Sequence, residues 1–172
     1  DRRQHRPCHA RHRVGPPTPQ WLCDIAAAAR YRPAGPLLFR QDALPPDLAH
    51  EVVQLACRRL RTPLGLRSLA PGEPGYCGQC RGPGRDRDRA YHQGTVWAWL
   101  MGPFVEAYLR VHGFADSAKR QAARWIAPLI EHMKTEAGLG QISEIFDGDP
   151  PHTPRGCIAQ AWSVAELLRA WR

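Results

Sequence analysis

From Pro45 onward the apolar residues of the chain recur at intervals of three and four. In "PPDLAHEVVQLACRRL" the positions Leu48, Val52, Leu55, Ala56 and Leu60 share one side of a helical period, which predicts an amphipathic helix. Asp47 follows two prolines and Glu51 lies in the first turns, where negative charge suits the helix dipole. Arg58, Arg59 and Arg61 sit at the opposite end. "TVWAWLMGPFVEAYLRVHG" predicts a second helix that ends at Gly113 and is kinked or restarted at Gly102-Pro103. "DSAKRQAARWIAPLIEHMKTEAG" predicts a third, capped by Asp116 or Ser117, bent at Pro128 and closed by Gly138. "IAQAWSVAELLRAW" predicts a last helix, with Ile158, Trp162, Ala165, Leu168 and Trp171 near one apolar face. Residues 62–93 read as loop, dense in Gly and Pro and longer than a plain connection requires. No segment alternates apolar and polar over a strand length. The expected fold is all-α with long Gly/Pro-rich loops between helices, a helical barrel or part of one with a site at its rim.

Charge changes this picture at one end. The 172 residues carry a formal charge of +8, unevenly spread. Residues 1–62 hold eleven Arg against five acids, and the remainder holds thirteen Lys and Arg against eleven acids. The excess sits in "DRRQHRPCHARHRVGPPTP", which has no apolar period, so residues 1–20 read as a basic, disordered or foreign tail. A basic arm can bind nucleic acid, but here the charge lies where the chain looks least folded, so no nucleic-acid partner is expected. No apolar run approaches a membrane span and no secretory signal is evident, so no membrane partner is expected. The six cysteines then read as reduced thiols of a cytoplasmic protein. "CGQC", Cys77 to Cys80, is half of a tetrahedral zinc site at most, because no second His follows His92 at ligand spacing.

The sharpest chemistry is "SEIFDGDPP". Glu144, Asp147 and Asp149 lie between Gly140 and a Pro-Pro step, in a stretch with no helical period. A carboxylate in such a loop can act as a general base if the geometry holds a water against it. Glycoside hydrolysis needs two carboxyl groups, an acid for the leaving oxygen and a base or nucleophile opposite. Asp147 and Asp149 also make a D-x-D pattern, but the spaced ligands of a calcium loop do not follow. A solvated loop whose acids cap turns is the third possibility. Upstream, "RDRDRAYHQGTVWAWL" joins Tyr91 and His92 to two tryptophans that cannot share a helix face, so Trp97 facing a barrel mouth puts Trp99 between helices.

"TPLGLRSLAP", "AYHQGTVWAWLMGPFVEAYL" and "EAGLGQISEIFDGDPPHTPRGCIAQAWSVAELLRAW" occur in that order, and together they closely resemble the C-terminal part of the amylo-α-1,6-glucosidase (glycogen debranching enzyme) family. The likeness runs from Thr62 to the end, more loosely from Pro45, with a weaker echo from Leu22. There Arg32-Pro33 is followed by Ala34-Gly35 where the family tends to carry Asn-Gln. The resemblance implies a glucoamylase-like (α/α)6 toroid, of which residues 21–172 would be the C-terminal portion. It implies inverting hydrolysis of the α-1,6-linked glucose at a glycogen branch, without metal or organic cofactor. It assigns Glu144 as the general base and places Tyr91, His92, Trp97, Asp147 and Trp162 on the substrate side. The family's general acid lies upstream of these motifs, so the missing N-terminal part of the same enzyme becomes an expected partner and the isolated chain is expected to be inactive. A catalytically dead carbohydrate-binding remnant and a basic nucleic-acid-binding protein are the alternatives.

Overall fold

A computed structural model describes residues 45–171. The basic stretch 1–20 and the Arg32-Pro33 step lie outside the described residues. The first helix, α1 (Pro46–Arg59), starts where the proline step and Asp47 place it and carries Arg58 and Arg59 in its last turn. Val53, Ala56 and Leu60 are its buried positions, while Leu48 stays exposed. The buried stripe is therefore rotated from the predicted one, toward Val53.

Two short strands follow, β1 (Arg61–Thr62) and β2 (Gly65–Arg67), then a short helix α2 (Gly84–Ala90). Strand β3 (Val96–Trp97) and a 3-10 turn (Ala98–Leu100) lead into α3 (Met101–Val111). Helix α4 (Asp116–Thr135), strands β4 (Ile145–Phe146) and β5 (Pro154–Arg155), and α5 (Ala161–Trp171) complete the order. The five strands form one antiparallel sheet in chain order. One row of paired residues crosses it: Arg61, Leu66, Trp97, Ile145 and Arg155.

The sheet overturns the all-α expectation. Each strand is two or three residues long, too short to show an alternating pattern, and β3 pairs with strands far from it in sequence. Residues 62–93 are likewise not all loop. "GRDRDRA" forms α2 without an apolar face, so no periodicity announced it. The predicted second helix also begins later. Val96 and Trp97 are strand, and Gly102-Pro103 falls in the first turn of α3, where proline costs no helical hydrogen bond. Gly113 does end this unit, at φ 58°. Helix α4 runs through Pro128 and lacks the predicted side-chain cap. Ala115 is its N-cap residue and Asp116 already lies in the first turn, because the chain turns sharply through Gly113 and Phe114 just before it. It closes at Thr135, and Ala137 rather than Gly138 takes the left-handed position.

Helix α3 is the hub. It packs against α1, α4 and α5 and buries Met101, Phe104, Val105 and Ala107. The core continues through Trp125, Ile126 and Leu129 of α4 to Leu66, Val96 and Phe146 of the sheet. Helix α5 packs on α3. Ser163, Glu166 and Leu167 are its buried positions, while Trp162, Leu168 and Trp171 of the helix and Ile158 before it are exposed. A charged network joins the two helices. Arg169 bonds Glu166 (Nη2 to Oε2, 2.7 Å) and reaches across to Glu106 of α3, which also pairs with Arg110 at 2.6 Å. The close approach requires Gly102, since a Cβ there would lie 2.8 Å from the Glu166 carbonyl oxygen and press on its carboxylate. Gly102→Ala is therefore expected to lower stability by about 1–3 kcal/mol. Gly84→Ala, with open space around it, should change it by less than about 0.5 kcal/mol. Urea midpoints of the two variants check the contrast.

Candidate active site

The loop from Ile142 to Cys157 is pinned along its backbone. Gln160 N–H donates to Ile142 O (2.8 Å), Glu144 N–H to Cys157 O (3.0 Å) and Asp147 N–H to Thr153 O (2.9 Å), with β4 between β3 and β5. Its acids are placed differently from one another. Asp147 is 5% exposed and accepts from Arg155 at both oxygens (Nη2 to Oδ2, 2.9 Å) and from the Cys80 backbone N–H at 2.8 Å. These bonds raise the Arg155 pKa further. Asp149 accepts from the Tyr76 hydroxyl at 2.8 Å, and burial together with this carboxylate pushes the phenol up to about 12. Its N–H donates to Gly78 O at 3.0 Å. The "CGQC" turn is thus tied to the acidic loop through backbone groups. Among the described residues no group of His, Cys, Asp and Glu is arranged to hold a metal ion.

Glycines let the loops approach this closely. A Cβ at Gly148 would overlap the Gly94 carbonyl oxygen, and one at Gly78 the Asp149 carboxylate. Arg67 of β2 donates from Nε to Gly148 O at 2.8 Å and closes the arrangement from the sheet.

Glu144, like Asp149, is half-buried. The Tyr91 hydroxyl donates to its Oε1, and the Cys157 backbone N–H donates to its Oε2 at 2.9 Å. Burial works against ionisation, but these donors outweigh it and hold the Glu144 pKa below the usual carboxylate range. Tyr91 is pushed the other way, first by burial and then by the bond to Glu144, so its proton stays on the phenol. A carboxylate offers about four acceptor positions, so Glu144 keeps capacity for a water.

Trp97 pairs with Ile145 across β3 and β4, which places it beside the Glu144 backbone. Its ring meets Tyr91 edge-on at 4.8 Å and stacks on His92 at 5.4 Å, nearly parallel at 5°. Tyr91, His92, Trp97 and Glu144 therefore form one cluster, floored by Cys80, Ala90 and Ile145. Trp162 is placed elsewhere. It stacks on Trp99 at 4.3 Å and is 46% exposed. Sequence reasoning missed Tyr76, Arg155 and the Cys157 and Cys80 backbone donors. Donation from a main-chain N–H leaves no trace in residue identity, and the two side chains matter only through contacts that folding creates.

A family model described as amylo-alpha-1,6-glucosidase matches residues 29–169. The glycogen debranching enzyme of Saccharomyces cerevisiae is 35% identical over 143 residues, which is 72% of this chain and 9% of that protein. The chain thus spans under a tenth of the length of this relative. The family match covers most of the chain and includes the strands, the aromatic cluster and the acidic loop just described. On these grounds the chain belongs to the amylo-α-1,6-glucosidase family.

Proposed function

We propose that this chain supplies the general-base side of an inverting glucosidase acting on α-1,6-linked glucose at the branch points of glycogen or a similar glucan. The observation that carries the reading is the Glu144 carboxylate. It is half-buried, kept ionised by Tyr91 and Cys157, and set beside the Trp97–His92 stack. Glu144 takes a proton from a water as that water attacks the anomeric carbon. The bond from that carbon to the glucan's 6-oxygen breaks, and a general acid protonates the leaving oxygen. Attack from the far face inverts the carbon, so glucose leaves first as the β-anomer. The two carboxyl groups of such a site stand roughly 6.5–9.5 Å apart, leaving room for the water.

Asp147 is committed to Arg155 and the Cys80 N–H and Asp149 holds Tyr76, and the family resemblance puts the proton donor well upstream of these motifs, so it is assigned outside residues 45–171. Trp97 and His92 offer an apolar face to a glucose ring, Tyr91 orients the base, and Asp147 holds the loop that carries it. Trp162, on its own stack with Trp99, offers a second sugar-facing ring. The helices α1, α3, α4 and α5 are read as part of an (α/α)6 toroid, with residues 21–172 as its C-terminal portion and 1–20 as a basic tail. The exposed apolar residues of α5 then await neighbouring helices. The described cysteines are all free thiols, which fits a cytoplasmic setting, and no described helix is long and apolar enough to cross a membrane. The commitment of Asp147 and Asp149 also favours a second reading for this chain alone, glucan binding without hydrolysis.

In a polypeptide carrying both carboxyl groups, Glu144→Gln should lower kcat by about 10²–10⁴-fold with little change in KM. Proton NMR of the fresh product should show β-glucose. Retained turnover removes Glu144 from the role, and α-glucose as first product replaces inversion by retention. For the 172-residue chain alone, quenching of tryptophan fluorescence by maltooligosaccharide without glucose release supports the binding reading.

The lowered Glu144 pKa sets a second expectation. Its folded value lies below the unfolded one, so its contribution to stability is present above the ordinary carboxylate range and is lost as pH falls through the folded value. The acid limb of the rate profile should follow the same group. Tyr91→Phe removes the hydroxyl donor and should shift that limb to higher pH. An unmoved limb in the pH–kcat/KM profile would show that another group controls it.

A further inference from the structure

His132 lies in the last turn of α4, on an element that contributes no residue to the aromatic cluster, and only 3% of it is exposed. Its Nε2 stands 3.3 Å from the Ser143 backbone nitrogen and 3.2 Å from Ser143 Oγ. Its Nδ1 stands 2.9 Å from Glu136 Oε2. A backbone N–H can only donate, so Nε2 must be the bare acceptor and the proton must sit on Nδ1, facing the Glu136 carboxylate. The Phe146 ring meets the imidazole edge-on at 4.9 Å and fixes its plane.

Ser143 immediately precedes Glu144 and is 1% exposed, so water cannot substitute for this acceptor. On the other side, Glu144 N–H donates to Cys157 O at 3.0 Å. The backbone is therefore anchored at the amide nitrogens on either side of Ser143, from α4 and from the segment after β5. We propose that His132, as the neutral Nδ1–H tautomer oriented by Glu136, is a positioning residue that fixes the Ser143–Glu144 backbone and so aims the Glu144 carboxylate. Its catalytic meaning rests on the reading of Glu144 as the base.

The test uses the full chain without substrate. Long-range proton–nitrogen NMR of the wild-type ring should show the Nδ1–H tautomer, and an Nε2–H ring overturns the proposal. Carbon-13 NMR of the Glu144 carboxyl then follows its titration in two variants. His132→Asn keeps a donor toward Glu136 but is too short to reach Ser143. His132→Gln places an amide near the Nε2 position. The Asn variant should raise the Glu144 midpoint by about one pH unit as the Tyr91 and Cys157 bonds loosen, and the Gln variant should stay near wild type. A folded Asn variant whose Glu144 titrates as in wild type overturns the proposal. Where the Asn variant does not fold, the wild-type tautomer decides alone. In an active polypeptide the Asn variant should lose kcat with KM unchanged, and Gln should restore it. Retained glucose release by Glu144→Gln in that polypeptide would remove Glu144 as the base and leave the His132 measurements standing. An unchanged titration in the Asn variant would do the reverse.

Discussion

The Asp147 carboxylate is the constraint on which the site depends. It is buried in a loop and answered on three sides, by the two guanidinium nitrogens of Arg155 and by the Cys80 backbone N–H. Arg155 stands on β5, so the bond closes the turn between β4 and β5. Cys80 belongs to a separate loop, so the same carboxylate ties that loop to the turn. Removing Arg155 would leave the buried Asp147 carboxylate with the Cys80 N–H alone to answer it. Asp149 repeats the arrangement on a smaller scale with Tyr76 and Gly78.

This frame answers why a basic protein gathers three carboxylates in one short loop. Two of them build the loop, and the third is presented by it. Asp147 spends both oxygens on Arg155 and the Cys80 N–H, and Asp149 accepts from Tyr76. Glu144 accepts one bond at each oxygen, from Tyr91 and from the Cys157 N–H. Its donors also set its charge, because a phenol and a main-chain N–H both favour the ionised form over the protonated one. The sheet contributes by register. Pairing of Trp97 with Ile145 brings an aromatic ring from an upstream segment next to the residue that follows Glu144.

The helices show a second use of charge. Helix α5 buries Ser163, Glu166 and Leu167 and leaves Trp162, Leu168 and Trp171 exposed. The Glu106, Glu166 and Arg169 network joins it to α3, and Gly102 allows the approach.

Much of the helical skeleton was legible along the chain. Proline and Asp47 marked the start of α1, Gly113 marked the end of the α3 unit, and the spacing of apolar residues located α4 and α5. The motifs around Tyr91, Trp97 and Glu144 also carried the family. The strands were not legible, because a two-residue strand has no period and exists only through its neighbours. Nor was α2, whose alternating Arg and Asp show no apolar face. The side of α5 that is buried, the stacking of Trp162 on Trp99, the commitment of Asp147 and the contact of His132 with Ser143 were decided by tertiary structure. Local spacing determines which residues can share a helix. It does not determine which of its sides meets a partner, or which carboxylate finds an arginine brought to it by another strand.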